Sequence, residues 1–340
     1  MSQIPSELPY YKVEDFSKLY MERADEVAKA ARIWRSRFPH VGCAGKRKPK
    51  IAVLGIDCQN AFSLPSASLF VPGANDDMMR AANFIYRNTH QIDKVFLSLD
   101  THTVNQVFHP DFWEDRNGKH PIPFTVITAA EVKDGTWKPR ANQTAFVDLR
   151  AAMIDYCEQL EASGKYALTI WPYHALLGGA SHAINAGLME ACMFHSVARS
   201  VDIEFVMKGR SQFTENFSIF TPEVLSLSDG VVGGGRGKSV GVIDNDLVMT
   251  LKHYDRVYVF GEASSHCVMS SLYGLINPMN ERNSHLEKIY ILEDAMSPVP
   301  PPPLAPLPDA LNFPMVAKAA LAEFAKAGMH IVRTTDVIEV

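Results

Sequence analysis

The chain has 340 residues, 47% of them hydrophobic, and a formal net charge of −5 at pH 7. The apolar fraction supports a sizeable core, the acidic balance excludes the basic face that nucleic-acid binding needs, and no apolar run reaches the ~20 residues of a membrane span. Five irregularly spaced cysteines argue against a disulfide framework, and the first twenty residues lack the apolar core of a secretory signal, so a soluble cytoplasmic protein is expected.

Residues 1–49 are polar and mixed, with an amphipathic helix over Val13 to Arg37 and a basic hinge, GKRKPK, at 45–50. Lys50 to Asp57 reads as an apolar strand, Asp76 to Thr89 as a helix, and Lys94 to Asp100 as a second strand. An irregular stretch from Pro110 leads to a helix over Thr144 to Ser163, stopped by Gly164. Tyr166 to Trp171 is a predicted strand, Ser181 to Ser200 a helix, Ile203 to Lys208 a strand and Val242 to His253 a helix. Arg256 to Leu275 reads as a strand, a small-residue turn and a helix that starts at Cys267. Lys288 to Asp294 is a strand, Phe313 to Lys326 a helix and His330 to Thr334 a last strand.

Alternating strands and helices imply an α/β fold, a parallel doubly wound sheet with helices on both faces. In such sheets the site lies outside the carboxyl ends of the strands. Asp57, Asp100 with His102, His174, Lys208 and Cys267 each fall at or just after such an end. That convergence is costly to explain by packing, because buried charge must be paired.

Cys267, at the first turn of a helix, is expected to have a lowered pKa and to act as a nucleophile. The bland alternative is a small buried hydrophobe. Asp57 can take the thiol proton, Lys208 can keep both groups charged, and the N–H groups of Ala263 and Cys267 can form an oxyanion hole. The competing reading makes Asp57 and Lys208 a strand-end ion pair. Asp100 and His102, one residue apart, project to the same side, and with His174 they offer a carboxylate and two imidazoles to a divalent metal. His109 is a candidate fourth partner, and His102 alone is equally able to bond a main-chain carbonyl.

The segments VLGIDCQNAF (53–62), SLDTH…H (98–109), WPYH (171–174), VMKG…ENFSIF (206–220) and GEASSHCV (261–268) together resemble the isochorismatase-like cysteine hydrolases, and among them nicotinamidases. The resemblance implies a three-layer α/β/α sheet fold and a catalytic Asp57, Lys208 and Cys267. It also implies a cis peptide at Glu262–Ala263 and a metal, zinc first with iron or manganese as alternatives, held by Asp100, His102 and His174. Phe62 and Trp171 would sandwich the substrate ring; otherwise they are core aromatics. The implied reaction is nicotinamide to nicotinate plus ammonia, with another small amide or ureide as the alternative substrate and an inactive binding protein on the same fold as a further one.

The chain departs from the family in an N-terminal arm at 1–49, ahead of a hydrolase domain at 50–340 with insertions at about 110–165 and 225–241. It also carries Ser264-Ser265-His266 before the nucleophile, where His266 either perturbs the thiol or packs. The arm and insertion are expected to cover the site or build the contact of a homo-oligomer. GGGRGKS (233–239) lacks the strand that a phosphate loop follows, and PVPPPPLAPLP (298–308) reads as a rigid crossover. The expected partner is a small amide, with neither nucleic acid nor membrane.

Overall fold

Six short runs build the central sheet: β1 (Ile51–Ile56), β2 (Ile92–Asp100), β3 (Glu204–Lys208), β4 (Arg256–Gly261), β5 (Ile289–Leu292) and β6 (His330–Val332). The computed structural model describes residues 12–45, 49–140, 146–164, 166–228, 237–280, 285–301, 306–307 and 309–338. The strand order is β6-β5-β4-β1-β2-β3, and every pairing is parallel. The chain winds outward from β1 through β2 to β3, then returns to the other side of β1 and winds through β4, β5 and β6. The connections therefore reverse direction between β1 and β4, and a crevice opens at the carboxyl ends of those two neighbours.

Continuous burial along β1, with all six residues inside, reflects a sheet covered on both faces. One face carries Val53, Val95, Leu97, Tyr258 and Phe260 against helices α1 (Ala24–Arg37), α2 (Ala74–Asn88) and, later in the chain, the helix Ala186–Arg199. The other carries Leu54, Ile56, Phe96, Val257, Val259 and Ile291 against the helices Leu149–Ser163, Asn245–Lys252, Cys267–Asn280 and Phe313–Ala327. Side chains that alternate along a strand feed these two cores in turn.

Several segments differ from the sequence reading, among them the helix expected from Ser181, which starts at Ala186 after an Asn185 cap. The helix predicted over 13–37 is a short 3-10 turn, Val13–Ser17, followed by α1. Between them, Arg23 turns inward to pair with Asp15 at 2.5 Å and Glu190 at 2.6 Å, which ties the arm to the helix Ala186–Arg199. The strand predicted over 166–171 is not in the central sheet: only Leu168–Thr169 is extended, paired antiparallel with Val126–Ile127. The intervening segment supplies that partner and buries Phe112, Trp113, Ile127 and Val132 in the core. The helix predicted from Thr144 starts at Leu149, where the Asp148 carboxylate accepts from Ala151 N–H. Of the discounted motifs, Lys238–Ser239 pairs with Ser226–Leu227. Residues 229–236, 302–305 and 308 lie outside the described residues.

Candidate active site

Register sets the site. Asp100 and Lys208 are direct partners across β2 and β3, and Ile56 pairs with Gly261 across β1 and β4. Asp57 follows Ile56 in a left-handed backbone conformation, φ 48°, which a non-glycine residue adopts only when its surroundings hold it there. Ser98 does this from β2: its Oγ accepts from Asp57 N–H at 2.9 Å and donates to Asp57 Oδ1 at 2.5 Å. Gly261 has φ +126°, and a Cβ on it would lie 2.0 Å from the Ile56 carbonyl oxygen, so only glycine lets β4 leave this close to β1. The Glu262–Ala263 peptide that follows is cis.

These constraints bring three strands' residues to one ammonium. Lys208 Nζ lies 2.9 Å from Asp57 Oδ2 and 2.9 Å from Asp100 Oδ1. It donates to the Asn216 carbonyl at 2.8 Å and sits 3.5 Å from Cys267 Sγ. All four side chains, those of Asp57, Asp100, Lys208 and Cys267, are buried. Neither the Ala263 nor the Cys267 N–H donates to a protein group among the described residues, so both are free to meet an oxyanion.

The electrostatics differ from the sequence expectation at the thiol. Burial pushes Cys267 up, Lys208 opposes that, and the Asp57 and Asp100 carboxylates add to the rise; the result lies well above the ordinary thiol value. The end of one helix does not offset desolvation beside two carboxylates. Cysteine is therefore held as a thiol whose proton faces Asp57. Burial also raises Asp57, against the pull of Lys208, which makes it a better proton acceptor than an exposed carboxylate. Asp100 goes the other way: burial disfavours its charge, but His102 and Lys208 outweigh burial and hold it well below the carboxylate range.

Asp100 also faces the two predicted imidazoles. His102 Nε2 is 2.9 Å and His174 Nε2 3.5 Å from Asp100 Oδ2, and one ligand atom from each of the three residues falls within 4.8 Å of the others. His102 Nδ1 lies 3.2 Å from the Gly209 carbonyl and His174 Nδ1 2.8 Å from the Pro172 carbonyl. Asp100 raises His102 and favours a proton on its Nε2; with Nδ1 donating to the carbonyl, loss of that Nε2 proton turns the lone pair of His102, like that of His174, towards Asp100. His102 Nε2 is buried without an aligned hydrogen bond. Two lone pairs and a carboxylate oxygen turned on one point suit a divalent cation, so the residues fit the metal that the resemblance implies. His109 lies outside this closest trio, its ring 5.8 Å from that of His102 and 6.2 Å from that of His174, with a buried Nε2 that also lacks a partner. Gly209, φ +75°, is required here as well: a Cβ would lie 2.8 Å from Asp100 Oδ1.

Phe62 and Trp171 both stand on the wall of the cavity over Cys267, with Leu69, Val71, Phe217 and Val299. No residue of 1–49 or 110–165 lines it among the described residues. Sequence reasoning gave no role to Glu215, which also lines the cavity, is raised to about 7 by burial, and has no hydrogen-bond partner for its carboxyl group among the described residues. Its position seven residues after Lys208, inside a segment already singled out, was the available signal. His266 proves to be a cavity residue as well. It stacks on Tyr166, shares a hydrogen bond with Ser265 Oγ at 2.9 Å, and burial lowers it to about 4, which leaves it neutral.

No family model matches the chain, and no curated protein matches it. Solved structures do. The yeast nicotinamidase bound to the inhibitor nicotinaldehyde matches with a TM-score of 0.51 at 15% identity, over 83% of this chain and 99% of its own. A nicotinamidase/pyrazinamidase from Acinetobacter baumannii matches at 0.49 and 17% over 86% of this chain and 100% of its own. The zinc complex of the Pyrococcus horikoshii pyrazinamidase matches at 0.45 and 16% over 84% and 99%. The parallel sheet with helices on both faces, set beside the yeast match, gives this chain an isochorismatase-like α/β fold.

Proposed function

We propose that the protein is a cysteine amidohydrolase that cleaves a small carboxamide, with nicotinamide as the preferred substrate and nicotinate and ammonia as the products. The observation that carries this reading is the Lys208 ammonium, which gathers Asp57, Asp100 and the Cys267 sulfur within 3.5 Å. Cys267 Sγ attacks the carboxamide carbon while its proton passes to Asp57. The carbonyl oxygen becomes an oxyanion against the Ala263 and Cys267 N–H groups. As the C–N bond breaks, Asp57 returns the proton to nitrogen; ammonia leaves and a thioester remains. Asp57 then takes a proton from water, the resulting hydroxide attacks the thioester carbon, the C–S bond breaks, and Asp57 reprotonates the sulfur. Lys208 stays charged throughout and fixes the two acidic partners. Phe62 and Trp171 flank a flat substrate ring.

Asp100, His102 and His174 would hold a divalent metal, zinc first with iron or manganese as alternatives. A bound cation of that kind supplies a Lewis acid for a substrate ring nitrogen or a water. Five free cysteines and a thiol nucleophile suit a reducing cytoplasm. No helix among the described residues is long and apolar enough to cross a membrane.

A second reading keeps Cys267 and changes the substrate to another small amide or ureide. It is favoured by the unpartnered Glu215 carboxyl group and by His266 in the cavity, which add two polar positions to a wall that also carries Asp100, His174 and Cys267. Ammonia release from nicotinamide, pyrazinamide, carbamoyl compounds and biuret separates the two. The nicotinamidase reading expects turnover of nicotinamide that Cys267→Ala abolishes. Metal-loaded protein that releases ammonia only from other amides supports the second reading and ends the first.

A further inference from the structure

The chemistry above leaves one buried carboxyl group beside the oxyanion site without a role. Glu262 directly precedes Ala263 and is fully buried, and so is Asp77 in the first turn of α2. Both carboxyl groups are held by Ser297, Glu262 Oε2 by its N–H and Asp77 Oδ2 by its hydroxyl, and two buried carboxyl groups this near each other are stable only if one carries a proton and donates it to the other. Asp77 has the better claim to the negative charge. Arg80 reaches its Oδ1 at 2.6 Å, Ser297 Oγ donates to its Oδ2 at 2.5 Å, and it sits at a helix N-terminus. Glu262 has only the Ser297 N–H, at 3.3 Å, and its Oε1 has no donor among the described residues. Glu262 also faces the buried Cys58 thiol, which adds no positive charge, and feels the Arg80 guanidinium only as its smallest influence, behind burial and Asp77.

Ser297 links this pair to the loop. Its N–H reaches Glu262, its hydroxyl reaches Asp77, and its carbonyl accepts from Ser264 N–H at 2.9 Å. The residues on either side of Ala263 are thus tethered to one serine. That serine is packed against Gly73, where a Cβ would lie 2.5 Å from Ser297 Oγ.

We propose that Glu262 is a positioning residue: as a neutral acid donating to Asp77 it fixes residues 262–264, and so aims the Ala263 N–H at the oxyanion. This rests on the amidohydrolase reading. Two variants of similar length test it. Glu262→Gln keeps a donor for Asp77 and an acceptor for Ser297, and Glu262→Met keeps neither. The expected result is kcat within about threefold of wild type for Gln and about tenfold to a hundredfold lower for Met, with KM and the rate of iodoacetamide labelling of Cys267 unchanged in both. Wild-type kcat in the Met variant, equal losses in both variants, or a loss carried by KM overturns the proposal. If wild-type protein cleaves no amide, the amidohydrolase reading fails by itself. The pair is then compared for capture of nicotinaldehyde by Cys267, whose adduct oxygen needs the same N–H; weaker capture by Met alone sustains the positioning role, and equal capture ends it. Should the Met variant not melt cooperatively, Glu262→Leu, which likewise has neither donor nor acceptor, replaces it with the same expectations.

Discussion

Replacing Lys208 with methionine removes one charge and leaves most of the aliphatic stem. The ammonium has carboxylate oxygens at 2.9 Å on two sides and the Asn216 carbonyl at 2.8 Å, and Lys208 is only 5% exposed. Without it, two buried carboxylates lose their shared counter-charge. Breaking a buried network by removing one partner costs about 3–5 kcal/mol, because the orphaned charge stays in a poorly solvating place. A urea titration of Lys208→Met should show that loss, and amide turnover should fall by about a thousandfold or more, since the three groups act as a unit. The cause is separable from the loss of packing. Asp57→Asn on the Lys208→Met background removes one of the stranded charges, so the double variant should recover about 2 kcal/mol over Lys208→Met while staying inactive. The reasoning is refuted if Lys208→Met lies within about 1 kcal/mol of wild type, or if the double variant is less stable than the single.

Gly209→Ala should displace Asp100 and His102, and elemental analysis should find its bound divalent metal below about a tenth of the wild-type content; wild-type retention would remove these residues from cation binding. The iodoacetamide rate at Cys267 should keep climbing above pH 9, because burial and two carboxylates hold the thiol above its ordinary value; a plateau below pH 8 would contradict that balance. Burial lowers both His195 and His266 to about 4, so the unfolded chain binds their protons first as pH falls. Their stabilising contribution is complete above about 6.5 and is lost as pH falls from there towards 4, with each group costing about 1.4 kcal/mol per pH unit within that window. Denaturant midpoints at pH 7 and pH 5 check this, and His195→Gln should flatten the difference.

The sequence showed strand ends clearly because a buried parallel strand is a run of apolar residues, and Asp57, Asp100 and Lys208 each interrupt or end such a run with a charge. That pattern located the ammonium's partners before any geometry was known. Arg23 was invisible, because its partners Asp15 and Glu190 are far apart in sequence and a charged residue within an amphipathic pattern looks like a solvated one. The 166–171 run was misplaced for a related reason: periodicity reports burial, and Leu168 is buried in the core beside the sheet while its strand partner is Ile127. The thiol was misjudged because the helix start is written in sequence, whereas full desolvation beside two carboxylates is a property of the assembled site.

The reversal of winding between β1 and β4 also bears on how such a chain can grow. The cavity wall comes from strand ends and from the segments between strands, with Phe62, Leu69 and Val71 after β1, Trp171 and His174 before β3, Glu215 and Phe217 after it, and Val299 after β5. The arm and the long segment after His109 instead thicken the layers around the sheet, adding Trp34 to one core and Trp113 to the other. Because none of their described residues reaches the cavity wall, changes of length or surface in those outer layers should leave the reacting atoms in place.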